Sequence, residues 1–200
     1  MMIRKRNMKK EKVTGRGKQP RRGSTLVEFA LAGSFIFVPL LVGTVAVGMS
    51  MVRSIEVTAL NRDVGHMFAS GVDFSQAANQ NLLVRIAGTL DITASGGNGV
   101  VILSEIAGTG NNNAVFEMRQ IVGNASLRAS NFGTPGSGIL DAGGNVTDTS
   151  DPSANANAFT SSVMPLANGQ IAYVAETYFS TSDYNLGGLL PNGIYVWAVF

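Results

Sequence analysis

Residues 29–52 carry no charged side chain, and Glu28 is the only charged residue between Arg22 and Arg53. A helix rising about 1.5 Å per residue carries such a run across roughly 36 Å, enough to cross the ~30 Å hydrocarbon core of a bilayer with some tilt. The sequence therefore predicts a transmembrane helix over residues 24–52. Within it Pro39 lacks a backbone donor and predicts a kink. Gly33, Gly43 and Gly48 permit close approach of another helix, although their spacing makes no GxxxG pair. A secretory signal cut after Gly48 is the alternative; its apolar core would be about twice the usual 7–15 residues, and a mature terminus at Met49 would distinguish it.

The charge is distributed very unevenly around this run. Residues 1–23 hold ten bases and one acid, Glu11, whereas the rest of the chain holds five bases and twelve acids. Bases gathered directly before an apolar helix follow the positive-inside pattern, because they resist translocation. The expectation is a disordered basic leader over 1–23 in the cytoplasm and an extracytoplasmic domain over 53–200, with membrane lipid rather than nucleic acid as the partner of the basic tail. The absence of cysteine excludes disulfides, thiolate metal sites and a cysteine nucleophile.

The junction of leader and helix carries the sharpest motif, Gly23 followed by Ser24-Thr25-Leu26-Val27-Glu28-Phe29 and then Ala30-Leu31. It resembles a prepilin peptidase site, and most closely that of TadE-like pseudopilins from tight-adherence (Tad) pilus systems of the bacterial inner membrane. The resemblance implies cleavage between Gly23 and Ser24 by a membrane aspartyl protease. It also implies an assembly role for Glu28, with Phe29 beside it, in which the carboxylate pairs with the new terminal amine of a neighbouring subunit. The expected partners are then the prepilin peptidase, a major pilin, other TadE- or TadG-like pseudopilins and an inner-membrane assembly platform. Ser24 departs from the phenylalanine usual at that position in type IV pilins. A looser likeness to the extracytoplasmic part of these proteins extends over the later strands.

Beyond Arg53 the pattern turns amphipathic without a break: Val57, Leu60, Val64 and Phe68 recur at helical steps between Arg53, Glu56, Arg62 and Asp63. This predicts one helix that continues as a stem to about Ala69 and stops at Gly71. A second helix is expected over 75–90, capped by Asp73 or Ser75, with Leu82, Leu83, Ile86 and Leu90 as its apolar face. Strands are expected at 100–103, 114–122, 170–179 and 194–200, with a hairpin loop at 108–113. The last of these is apolar on both faces and reads as a central strand. Residues 129–157, rich in Gly, Ser, Asn and Asp, read as a long exposed loop. The predicted fold class is α+β: a long N-terminal membrane helix continuing as a stem, packed by a small antiparallel sheet.

Little in the sequence points to catalysis. His66 is the only histidine, and a lone histidine on a helix is far more often a packing residue than a base. Asp141, Asn145, Asp148 and Asp151 have a composition that suits Ca²⁺, but their spacing does not match an EF-hand loop. Asn124-Ala125-Ser126 and Asn145-Val146-Thr147 fit the glycosylation triplet, as expected by chance in an Asn- and Ser-rich chain. The expectation is a subunit that is neither an enzyme nor a cofactor or metal binder. The rival reading is a signal-anchored adhesion or binding module that keeps its leader and recognises a glycan or protein through residues 108–113 and 129–157.

Overall fold

The computed structural model describes residues 22–181 and 192–200. Residues 1–21 of the expected leader lie outside them. The chain divides into two compact units at Val42 and Gly43. Helix α1 is Arg22–Ala69, so helical structure takes in the last two residues of the expected leader, Arg22 and Gly23. It stays helical on both sides of Pro39, whose ring removes the amide that would have bonded the Phe35 carbonyl. From Gly23 to Val52 every residue whose burial is described is exposed or partly exposed. This is the one helix among the described residues that is long and apolar enough to cross a membrane.

The second unit, Gly43–Phe200, contains the rest of α1 and everything after it. Here the stem behaves as its periodicity predicts: Val57, Leu60, Val64 and Phe68 are buried in one cluster with Leu83, Leu90, Val101, Leu103, Val122, Ala175 and Phe179. Each such aliphatic or aromatic side chain contributes about 1.5–3 kcal/mol by leaving water. Across this layer the Thr177 hydroxyl donates to Asn61 Oδ1 at 2.9 Å. Gly71, with φ +87°, ends the turn after α1 as expected.

Helix α2 is Ala77–Ala87, followed by the 3-10 turn Gly88–Leu90. Asp73 Oδ1 accepts from the Ser75 amide at 2.8 Å, which closes the turn before the helix. Only part of its expected apolar face is inward. Leu83, Ala87 and Leu90 are buried, whereas Leu82 and Ile86 point outward, because the helix lays a single narrow row against the stem and sheet.

The sheet is antiparallel throughout, with strands β1 (Gly99–Gly110), β2 (Asn113–Gly123), β3 (Ile171–Ser180) and β4 (Gly193–Val199) in the order β2-β1-β3-β4. The expected loop at 108–113 is instead a tight turn. Asn111 and Asn112 take φ of +54° and +62°, so a two-residue turn suffices and both strands run on to meet it. β4 is an edge strand and not a central one. It is apolar on both sides because the sheet is covered on both faces: Ile194, Val196 and Phe200 pack with the stem cluster, and Val199 packs on the other side.

That second cover is the chain between β2 and β3, of which residues 129–157 are expected from sequence to be an exposed loop. Its Phe132, Ala156, Phe159 and Leu166 form a buried cluster with Ile106, Ala114, Phe116, Ala172 and Val174. Helix α3, Asn157–Ser162, and the 3-10 turns Ser137–Ile139 and Pro152–Ala154 give the connection local structure. It also closes the free edge of β2: the Arg119 amide donates to Gly144 O at 2.7 Å, the Val146 amide to Glu117 O and the Ala156 amide to Ala114 O, both at 2.8 Å. Sealing an edge in this way removes a template for unwanted strand pairing.

Candidate functional site

The residues expected to carry processing and assembly, Gly23, Ser24, Glu28, Phe29 and Pro39, all lie on α1 before Val42. Gly23 sits in its first turn with open space around the position a Cβ would occupy. Ser24 and Glu28 are four residues apart, about one helical turn of α1. Glu28 is exposed, as are Phe29, at 75%, and Pro39. The Ser34 hydroxyl donates to the Ala30 carbonyl at 2.9 Å, so this polar group inside the apolar run is satisfied by its own helix. The arrangement is a solvent-facing apolar rod with one carboxylate near its beginning. It presents an exposed apolar surface that carries one acid.

In the second unit the polar groups do structural work. The acids of the connection each cap their own turn. Asp141 Oδ1 accepts from the amides of Gly143 and Asn145 at 2.8 and 2.7 Å, Asp148 from the Ser150 amide at 2.9 Å, and Asp151 from the Ser153 amide at 2.7 Å. Side-chain bonds from Asn145, Ser150 and Ser153 respectively hold the three carboxyls below the usual range. Among the described residues no group of three or more His, Asp or Glu side chains is disposed to hold a metal ion. His66 packs edge-on against Phe200 with ring centroids 4.6 Å apart.

One constellation escaped the sequence reading. Glu176, only 1% exposed on the second face of the sheet, has its carboxylate ringed by donors. Oε1 accepts from Tyr195 Oη at 2.5 Å and from the Asn131 amide at 2.9 Å, and Oε2 accepts from the Ser130 hydroxyl. Arg119 lies buried nearby and donates through Nη2 to the Gly133 carbonyl at 2.8 Å. Burial lowers its pKa to about 10, against the pull of the Glu176 charge, so it remains a cation at neutral pH. Burial and the bond to Glu176 push the Tyr195 phenol up. Arg128 lies over the Tyr195 ring, 4.0 Å from its centroid. These groups strap residues 128–133 onto the sheet. The only sequence signal was a glutamate in an otherwise apolar strand, at a position whose register points away from the stem.

No family model, curated protein or solved structure matches this chain. An open cleft of about 320 Å³ at the β2 edge is lined by Phe74, Gln80, Gln120, Leu140 and Asp141 among others. Its principal polar group is already occupied: Gln120 accepts from the Phe74 amide at 2.8 Å and donates to Asp73 Oδ1 at 2.7 Å and to Gly143 O at 3.0 Å. The cleft presents no nucleophile paired with a base.

Proposed function

We propose that this chain is a pseudopilin-type subunit of a Tad-like pilus or secretion apparatus. It is made as a precursor in the bacterial inner membrane with its leader in the cytoplasm and its sheet domain outside, and a prepilin peptidase cuts it after Gly23. The observation that carries this reading is the form of α1. Its residues from 25 to 52 are exposed or partly exposed, one carboxylate stands four residues from the would-be terminus at Ser24, and the same helix goes on to pack against an antiparallel sheet. A carboxylate on a membrane helix costs a few kcal/mol at depth unless it is paired. A terminal ammonium from an adjacent subunit supplies the pair, and the low dielectric of a helical bundle strengthens it. In this role the protein is a substrate of the peptidase and a partner of pilin-like subunits and their inner-membrane platform, with no catalysis of its own.

Coexpression with a prepilin peptidase, followed by amino-terminal sequencing, tests the reading. The expected mature terminus is Ser24, and replacing Gly23 should leave the leader in place. Glu28→Ala should be cut normally but fail to enter an assembly. A leader retained despite an active peptidase would instead favour an anchored binding module.

A further inference from the structure

The apolar residues that α2 leaves outside its core, Leu82 at 41% exposure and Ile86 at 39%, stand one helical turn apart on the same side, with Arg85 beside them. Their position in the fold is fixed by the turn that follows. Arg53 Nη1 donates to Thr89 Oγ1 at 2.7 Å and to the Thr89 carbonyl at 3.0 Å, and Arg53 is paired with Glu56 at 2.8 Å. The Thr89 hydroxyl donates in turn to Glu56 Oε2 at 3.0 Å. Arg53 is the residue at which the uncharged run ends, so the 3-10 turn after α2 is stapled to the point where α1 leaves its apolar stretch. Ile86 lies three residues before Thr89, and Leu82 one turn earlier. The Arg53 guanidinium also lies 5.9 Å from the centre of the Phe179 ring, which brings the Gly99 and Phe179 end of the sheet to the same level.

We infer that the outer side of α2, Leu82 and Ile86 flanked by Arg85, is a second membrane contact that rests in the headgroup layer of the bilayer crossed by α1. The occupant is lipid because the turn that ends this side of α2 is bonded to Arg53, the residue directly after the uncharged run 29–52, whose side chains from 43 to 52 are exposed or partly exposed. Aliphatic side chains gain by entering the headgroup and acyl boundary, while arginine keeps its cation among lipid phosphates and lays its methylenes along the apolar layer. Two points of attachment, the helix and this collar, fix the rotation of the domain about the membrane normal, which a single helix leaves free. The inference rests on α1 crossing a bilayer and not on the pilus assignment.

The chain has no cysteine, so single substitutions give unique labelling sites. Full-length Leu82→Cys, Ile86→Cys, Val45→Cys and Ser161→Cys variants are labelled with bimane. They are reconstituted in vesicles of phosphatidylcholine and phosphatidylglycerol, with and without a lipid carrying a quencher near the headgroup. The substituted side chains are all exposed, so the fold is retained. The expected result is a clear loss of fluorescence at positions 82 and 86, a loss at position 45 that deepens when the quencher is moved down the acyl chain, and none at position 161. Quenching at 45 without quenching at 82 and 86 overturns the collar and leaves the membrane helix standing. No quenching at 45 overturns the membrane helix and the collar with it.

Discussion

Replacing Glu176 by alanine should release the strap over the second face of the sheet. The carboxylate accepts from the Tyr195 hydroxyl, the Ser130 hydroxyl and the Asn131 amide, and it offsets the charge of the buried Arg119. Each donor left dry without an acceptor costs about 1–3 kcal/mol. Ser130 and Tyr195 are only partly buried and Asn131 is exposed, so these donors can in part rehydrate, and the loss falls mainly on the buried guanidinium left without the nearby carboxylate. The expected loss for Glu176→Ala is therefore about 1–3 kcal/mol. Glu176→Gln should lose only about 1–2 kcal/mol, since the amide oxygen can keep Tyr195 and Asn131 while Ser130 turns to accept from the amide nitrogen. Adding Arg119→Met to Glu176→Ala should cost less than the two single losses added together, because the cation that Glu176 offsets goes with it. Trp197, the single tryptophan, lies 5.4 Å from the Phe132 ring of the strap, so its fluorescence during urea unfolding in micelles reads this layer directly. A loss below about 1 kcal/mol for Glu176→Ala, or no coupling to Arg119, would refute the account.

Two further predictions concern the stem face and its edge. Gly65 lies inside α1, where alanine is ordinarily better by about 1 kcal/mol. Here an added Cβ would run into the Phe200 ring, so Gly65→Ala should destabilise by about 1–3 kcal/mol in the same urea assay and be tolerated in a Phe200→Ala background. Asp73 is held at a pKa of about 2, against an ordinary 3.8, first by the Ser75 hydrogen bonds and then by Gln76 and Gln120. Because the folded value is the lower one, its stabilising contribution is full above about pH 4 and disappears as pH falls towards 2. A carboxyl titration by NMR should find its midpoint near 2, and Asp73→Asn should flatten that part of the stability profile; a midpoint at 3.8 would remove the argument.

Much of the helical organisation was legible because it depends on local periodicity. The uncharged run, the Val57, Leu60, Val64 and Phe68 row, and the positions of the strands follow from side-chain spacing along the chain, and the structure keeps them. The α2 face was read too broadly, since spacing reveals which residues share a side but not how wide a strip a neighbour covers. The asparagine turn was legible in residue type but misjudged in length, because adjacent αL residues close a hairpin without extra chain. Glu176 was not legible as a hub: its partners come from residues 128–133 and from β4, tens of positions away in one direction and about twenty in the other.

Sequence alone therefore determined where this chain is apolar, where its charge lies and which motif stands at the head of α1, for these are properties of consecutive residues. Tertiary structure decided that β4 lies at an edge, that residues 129–157 cover a sheet face, and that Leu82 and Ile86 are left outward. The reason is that an apolar side chain specifies burial but not what buries it. Which element covers β4, and which leaves α2 half uncovered, depends on strand order and on the path of the connection across the sheet, and these arise only when segments distant in the chain compete for the same surfaces.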